Sequence, residues 1–184
     1  MAQTPSNMLP LGTKAPDFLL PATNFNTNFN FAECKGHKGT VVLFICNHCP
    51  FVLHVIDEIV MIANDYRVQG IGIVAISSND IVKYPQDSPE KMADFALENK
   101  IDFPYLFDES QAVAKAYDAA CTPDFYFFDE KLDLIYRGQM DDSRPGNQKE
   151  ITGEDLIIAF ENLLSGNPQE ELQKPSMGCN IKWK

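Results

Sequence analysis

The residues best suited to chemistry in this sequence are two thiols three positions apart, Cys46-Asn47-His48-Cys49, followed directly by Pro50. A thiolate is the nucleophile of disulfide exchange and also a metal ligand, so such a pair points to redox catalysis or to metal binding. Cys46 is expected to lie nearer to solvent. Cys49, one helical step inward, is placed to attack a mixed disulfide and release the partner. His48 stands between them, positioned to add positive charge or a hydrogen bond as Cys46 ionises.

Two elements must hold this pair. Val41-Val42-Leu43-Phe44-Ile45 is wholly apolar and largely β-branched, the pattern of a buried strand. Beyond Cys49, the residues Val52, Val55, Ile56, Ile59, Ile62, Ala63 and Tyr66 recur at helical spacing. This predicts a helix from about Cys49 to Tyr66 that stops before Gly70. The cysteines therefore fall where a strand hands over to a helix. Unpaired amides and the macrodipole at such a helix start favour negative charge. Settings of this kind lower a thiol pKa from ~8.5 to between ~3.5 and ~7.5.

The remaining elements follow from the same periodicities. Residues 1–16 form a lead-in, with a short strand over Asp17 to Leu20. Asn24 to Asn30 alternates Asn with Phe or Thr, as in a hairpin or loop whose Phe side chains point inward. Gly36 to Gly39 is a turn, and Gly70 to Ser77 a second buried strand. Asp87-Ser88-Pro89-Glu90 sets a capping residue before a proline at the first helical position, opening a helix to about Asn99. A short strand over Phe103 to Phe107 and a helix over Ser110 to Ala119 come next. Strands at Phe125 to Asp129 and Leu134 to Gln139 are joined by the turn Asp129-Glu130-Lys131, and a last helix runs from Thr152 to near Gly166. Strand–helix alternation followed by a hairpin and a helix predicts an α/β sandwich with a mixed sheet. Cys46 belongs at the edge where the strands deliver their C-termini.

Composition narrows the function classes. At 184 residues and 45% hydrophobic content the chain is expected to form one domain, with 1–39 as an N-terminal extension and 167–184 as a C-terminal tail. No run approaches the ~18 apolar residues of a membrane span, so no membrane partner is expected. The opening residues Met1 to Asn7 lack the basic start and apolar core of a secretory leader. The expected location is cytoplasmic, with a mature secreted form left open. A net charge of −11, from 26 acidic and 15 basic residues, repels phosphate backbones, so nucleic acid is a poor partner. Five cysteines (34, 46, 49, 121 and 179) are too few and too scattered for a disulfide-stapled scaffold. A structural zinc site commonly needs two close ligand pairs. A second Cys pair is absent, and Cys34, His37, His54, Cys121 or Cys179 could converge only through the fold. No metal is therefore expected.

Several longer segments carry a family resemblance. These are Phe44-Ile45-Cys46-Asn47-His48-Cys49-Pro50-Phe51-Val52, then Ser78-Asn79-Asp80 with Tyr84-Pro85-Gln86-Asp87-Ser88-Pro89-Glu90, and Cys121-Thr122-Pro123-Asp124-Phe125. Tyr136-Arg137-Gly138-Gln139 with Asp141-Asp142-Ser143-Arg144-Pro145-Gly146, and Gly178-Cys179-Asn180-Ile181-Lys182-Trp183, complete them. On these the chain resembles the thioredoxin superfamily, and within it the peroxiredoxin-like, AhpC/TSA-related branch.

The resemblance implies a thioredoxin fold, a mixed central β-sheet flanked by helices, with an N-terminal β-hairpin extension and a C-terminal tail. It implies that Pro123 is a cis-proline facing the cysteines and that the Thr122 backbone is available to an extended substrate. It further implies a redox-active disulfide, antioxidant activity and a part in cell redox homeostasis. Aligned as a peroxiredoxin, Cys46 stands in the slot of the peroxide-orienting Thr and Cys49 in the peroxidatic slot. Aligned as a thioredoxin, both cysteines match, although the Trp and the Gly-Pro spacer of thioredoxin are missing. A His immediately before the second cysteine is similar to the disulfide-oxidase branch.

The function expected from all this is a thiol–disulfide oxidoreductase with Cys46, Cys49 and His48 as catalytic residues and Thr122 and Pro123 binding substrate. It needs no organic cofactor. Its partners are protein or small-molecule disulfides and thiols, with an electron donor the sequence does not name. One rival is a peroxiredoxin-like peroxidase acting on hydroperoxides. Another is a non-catalytic redox sensor or partner-binding module. Arg137 and Arg144 are candidates for binding a peroxide or a carboxylate, with surface ion pairing the favoured reading. Cys121 is expected near the site. Cys179 is either a resolving or tail-docking thiol or a buried small hydrophobe.

Overall fold

The structure, a computed structural model, describes residues 3–184; Met1 and Ala2, part of the opening segment read for a leader, lie outside the described residues. The chain begins with β1 (Gln3–Pro5), and the strands β2 (Leu19–Pro21) and β3 (Asn28–Asn30) form the expected hairpin. A one-turn helix, α1 (Phe31–Cys34), follows directly. Asn30 caps it, with Glu33 reaching back to complete a capping box. β4 (Gly39–Phe44) leads through the cysteine turn into α2 (Pro50–Arg67) and then β5 (Ile71–Ser77). A 3-10 turn at Pro85–Asp87 precedes α3 (Pro89–Glu98), whose N-cap is Ser88. Next come β6 (Tyr105–Phe107), α4 (Ala112–Ala116), β7 (Cys121–Thr122), β8 (Asp124–Asp129), β9 (Leu134–Gly138), α5 (Glu154–Ser165) and β10 (Met177–Asn180).

The main sheet has the order β6-β5-β4-β8-β9. β4, β5 and β6 run parallel, whereas β8 is antiparallel to β4 and β9 is antiparallel to β8. Strand pleating sends alternate residues of β4 and β8 into two cores. Val41, Leu43, Phe125 and Phe127 meet α2, α3 and α5 on one face. Val42, Phe44, Tyr126 and Phe128 meet α1, α4 and Phe18 of the N-terminal segment on the other. Because β4 is central and covered on both faces, all six of its residues are buried. That explains its unbroken apolar run. Each large side chain so buried contributes ~1.5–3 kcal/mol.

Four features differ from the sequence expectations. The predicted helix over 110–119 keeps only Ala112–Ala116, because Gln111 (φ 63°) and Asp118 (φ 49°) take left-handed backbone on either side of it. Phe25 is 39% exposed rather than inward, resting edge-on against Phe29. The one-turn α1 has too few residues to show a periodicity. The tail is not a loose end: β10 lies between β1 and β7 in a second, three-stranded sheet. No helix among the described residues is long and apolar enough to cross a membrane.

Candidate active site

β4 ends at Phe44, and Ile45 extends its ladder with a bond to the Ile76 carbonyl at 3.0 Å. The chain then turns through Cys46, Asn47 and His48 into α2. Cys49 is the N-cap of this helix and Pro50 its first residue. Val52 and Leu53 both return amide bonds of 2.9 Å to the Cys49 carbonyl. The strand–helix handover expected from the sequence is present.

The expected division of labour between the sulfurs is not. Cys46 is 1% exposed and Cys49 0%, so Cys46 is not the solvent-facing thiol. The two thiols hydrogen-bond each other. Cys49 is lowered to about 5, first because Cys46 donates to it, against the cost of its burial. Cys179, Thr122 and the Val52 amide at the helix start add hydrogen bonds that favour its anion. Cys46 is raised well above the ordinary thiol range by keeping the shared proton, by burial and by the negative charge of Asp87. The reason is positional: Cys49 is the residue that caps the helix, while Cys46 abuts a buried carboxylate. One proton serves both sulfurs.

Thr122 touches both members of the pair. Its hydroxyl lies 3.5 Å from Cys46 Sγ, and its carbonyl oxygen accepts from the Cys49 thiol at 3.2 Å. The Thr122–Pro123 peptide is cis. The Thr122 backbone, which the resemblance offers to an extended substrate, pairs here with β10, where Cys179 stands opposite it. β10 comes so close that a Cβ on Gly178 would sit 1.9 Å from the Thr122 carbonyl oxygen, which is why glycine stands there.

The segment after β5 supplies what sequence reasoning missed. Asp87 is completely buried. Its Oδ1 accepts the Asn47 amide at 2.9 Å and its Oδ2 accepts Asn79 Nδ2 at 2.8 Å. His48 Nδ1 lies 2.7 Å from the same Oδ2, at ion-pair distance but off the line of a hydrogen bond. Tyr84 stacks on the His48 ring at 5.7 Å and 6°. Asn47 is held further by the Gln86 carbonyl at 2.9 Å and the Tyr105 hydroxyl at 3.0 Å. The signal was available, since Tyr84 to Glu90 is one of the segments carrying the resemblance. Read alone, Asp87 counted only as part of a helix start.

The remaining candidates divide. Cys179, on β10, is buried in the same core as the pair and bonds to Cys49; burial first, then that bond, raises it to about 12. Cys121 is fully buried and raised by desolvation, then by Asp124. Cys34, also buried, is raised to about 12 by desolvation. Arg137 is remote from the thiols. Its Nε donates to the Leu9 carbonyl and its Nη1 to Gln173, each at 2.8 Å, tying both chain ends to β9. Arg144 donates to the Asp141 and Ser143 carbonyls at 2.6 Å each and to Gln139. Neither takes the surface ion pair expected of it; backbone carbonyls and amide side chains hold them instead. Beside Arg144, Asp141 accepts the Thr152 and Gly153 amides at the start of α5, and Asp142 pairs with Lys149 and Lys174.

A mixed sheet of this order, with a paired-thiol turn at a helix start facing a cis-proline loop, defines the thioredoxin-fold class. The AhpC/TSA family model matches residues 11–137, and the chain belongs to that family. A provisionally named peroxiredoxin of Mycobacterium tuberculosis is 28% identical over 116 residues, 63% of this chain and 68% of its own. An uncharacterised conserved protein from Geobacillus kaustophilus is 54% identical with a TM-score of 0.98, covering 100% of this chain and 97% of that one. A hypothetical protein from Sinorhizobium meliloti is 46% identical with a TM-score of 0.95 over 98% of both chains. A secreted disulfide oxidoreductase of Mycobacterium tuberculosis, 15% identical with a TM-score of 0.61, covers 78% of this chain and 94% of its own and shares the fold.

Proposed function

We propose that the protein is a thiol–disulfide oxidoreductase acting through Cys46 and Cys49. The observation that carries this reading is the pair of thiols at the start of α2, with Thr122 in contact with both sulfurs. Protein or small-molecule disulfides and thiols are its partners. The cysteine usage of the sequence favours a cytoplasmic setting, and the chain is read as one domain.

In the resting pair the anion sits on Cys49 and the proton on Cys46. Transfer of that proton along the shared hydrogen bond makes Cys46 the thiolate. The Thr122 hydroxyl donates to the new anion while the Thr122 carbonyl accepts from the new Cys49 thiol. Cys46 then attacks a substrate disulfide, expelling one sulfur as a thiolate. The Cys49 thiol passes its proton to the expelled substrate thiolate, and the resulting Cys49 thiolate attacks Cys46 Sγ, closing the internal disulfide and releasing the second substrate sulfur as a thiolate. His48, partly exposed, sets its Nδ1 2.7 Å from Asp87 beside the pair. Since both sulfurs are covered, exchange with a partner requires a local opening over the pair.

The test is reduction of a model protein disulfide. Activity abolished by Cys46→Ser and stalled as a mixed disulfide by Cys49→Ser supports the reading, and activity that survives both substitutions overturns it.

Peroxidase chemistry is the second reading. It is favoured by the lowered Cys49 and by the family match. Cys49 thiolate would attack the outer oxygen of a hydroperoxide, breaking its O–O bond and releasing the alcohol or water, and the Cys49 sulfenic acid then condenses with the Cys46 thiol to form the disulfide and water. Against it, Cys46 replaces the peroxide-orienting hydroxyl and Arg144 is spent on carbonyls. Stopped-flow mixing with hydroperoxide separates the two. A fast sulfenate at Cys49 selects the peroxidase, and slow oxidation selects exchange.

A further inference from the structure

A soft sulfur, an imidazole and a carboxylate meet beside the redox pair. The ligand atoms of Cys46, His48 and Asp87 all lie within 4.8 Å of one another. Zinc binds thiolate at ~2.3 Å, imidazole nitrogen at ~2.0–2.1 Å and carboxylate oxygen at ~2.0–2.2 Å. An ion seated among them would pull in the Cys46 sulfur and part His48 Nδ1 from Asp87 Oδ2, now 2.7 Å apart.

Three further observations point to a cation. Asp87 is a fully buried carboxylate, and the ion-pair partner it has among the described residues is the His48 ring. The buried Nδ1 of His48 makes no aligned hydrogen bond. The outer contacts hold the ligands in place: the Asn47 amide and Asn79 fix the Asp87 carboxylate, and Tyr84 stacks on the His48 ring. Ligand sets supported in this way are characteristic of built metal sites.

We propose that the reduced protein binds Zn²⁺ through Cys46 Sγ, His48 and Asp87, with a fourth position open to solvent or a small thiol. Asp87 supplies the ligand that made zinc look unsupported from the cysteine spacing alone. Binding releases one proton from Cys46 and forms the Cys46–zinc bond; no electrons move. Formation of the 46–49 disulfide consumes that ligand, so oxidation and zinc exclude each other. Metal would thus hold the protein reduced and silent toward disulfides. The inference rests on the ligand geometry, and it stands or falls separately from the exchange activity proposed above.

The experiment titrates the full reduced chain with Zn²⁺ against a chromophoric chelator. The expected result is one ion per chain, binding weakened at least ~10-fold by Asp87→Asn and by His48→Ala, and no binding by the 46–49 disulfide form. Cys49→Ser is expected to leave affinity largely unchanged. Cobalt added to the unmutated reduced protein gives a second readout, a thiolate charge-transfer band that oxidation abolishes. Loss of binding in Cys49→Ser with affinity intact in Asp87→Asn would show simple dithiol chelation and overturn the site. Binding too weak to compete with the chelator, or insensitive to both Asp87→Asn and His48→Ala, would mean an adventitious ion only. Exchange by the metal-free protein is assayed in parallel, so either proposal can fail alone.

Discussion

Cys49 Sγ lies 3.2 Å from the Thr122 carbonyl oxygen, across 73 residues of chain, and donates to it whenever Cys49 is the protonated member of the pair. This contact ties the cap of α2 to the cis-proline loop. It also gives the pair two arrangements of its single proton, since the Thr122 hydroxyl reaches Cys46 from the same residue. A backbone carbonyl that only accepts and a hydroxyl that can donate thus favour opposite protonation of the two sulfurs.

The first titration step of the pair is expected at a pH of about 5, read as thiolate absorbance. Cys46→Ala removes the donor that gives the largest lowering, so the Cys49 step moves upward. Cys179→Ala removes a smaller contribution and moves it less. A pair that titrates near the free-thiol value in the unmutated protein contradicts the shared-proton arrangement.

Stability of the reduced protein should depend on pH through these same groups. Cys49 has a folded value of about 5, below its unfolded value. Between the two, the unfolded chain binds more protons, so stability rises as pH increases from ~5 towards ~8.5. Cys46 is shifted the other way, and its contribution is present below ~8.5 and lost as pH climbs through its raised value. Thermal unfolding of the reduced form should therefore peak near pH ~8.5 after other groups are subtracted. The difference between reduced and oxidised curves isolates this component.

Asp87→Ala leaves the Asn47 amide and Asn79 Nδ2 without their acceptor inside the protein. The expected loss is about 3 kcal/mol in urea denaturation. Asp87→Asn keeps the volume and one acceptor oxygen, and it should lose less. Because the negative charge that raises Cys46 is gone, the second thiol step should also move down in Asp87→Asn.

Gly178→Ala places a methyl against the Thr122 carbonyl, where the space is 1.9 Å. Overpacking of this kind costs typically ~1–3 kcal/mol, and backbone offers no rotamer to yield. A lower unfolding midpoint with slower disulfide exchange is expected, since β10 braces Thr122. A neutral outcome would show that β10 can shift away without cost.

Thr122→Val retains the shape beside Pro123 and removes the hydroxyl. Exchange driven by Cys46 should slow, and the first thiol step should move up, by less than in Cys179→Ala, because the Thr122 side chain is one of the lesser contributions that lower Cys49. The measurement is the rate against a model disulfide over a pH series. An unchanged rate would remove Thr122 from the proton transfer.

Sequence alone determined the scaffold and the place of the paired thiols within it. Apolar residues at strand and helix periods are local properties of the chain. They located β4, α2, β5 and the hairpin β8–β9 close to where they stand, and the strand–helix handover at 46–49 follows from them. Tertiary structure decided how that pair is tuned. Which sulfur caps the helix and which meets a carboxylate depends on Asp87 arriving from a loop some 40 residues away. A carboxylate that acts only through a folded contact leaves no periodic trace in the chain. The same holds for β1 and β10, two short strands near opposite ends of the chain whose pairing partners are set by topology. Burial of both thiols is likewise a property of the assembled layers, because covering a residue takes neighbours that only long-range packing provides.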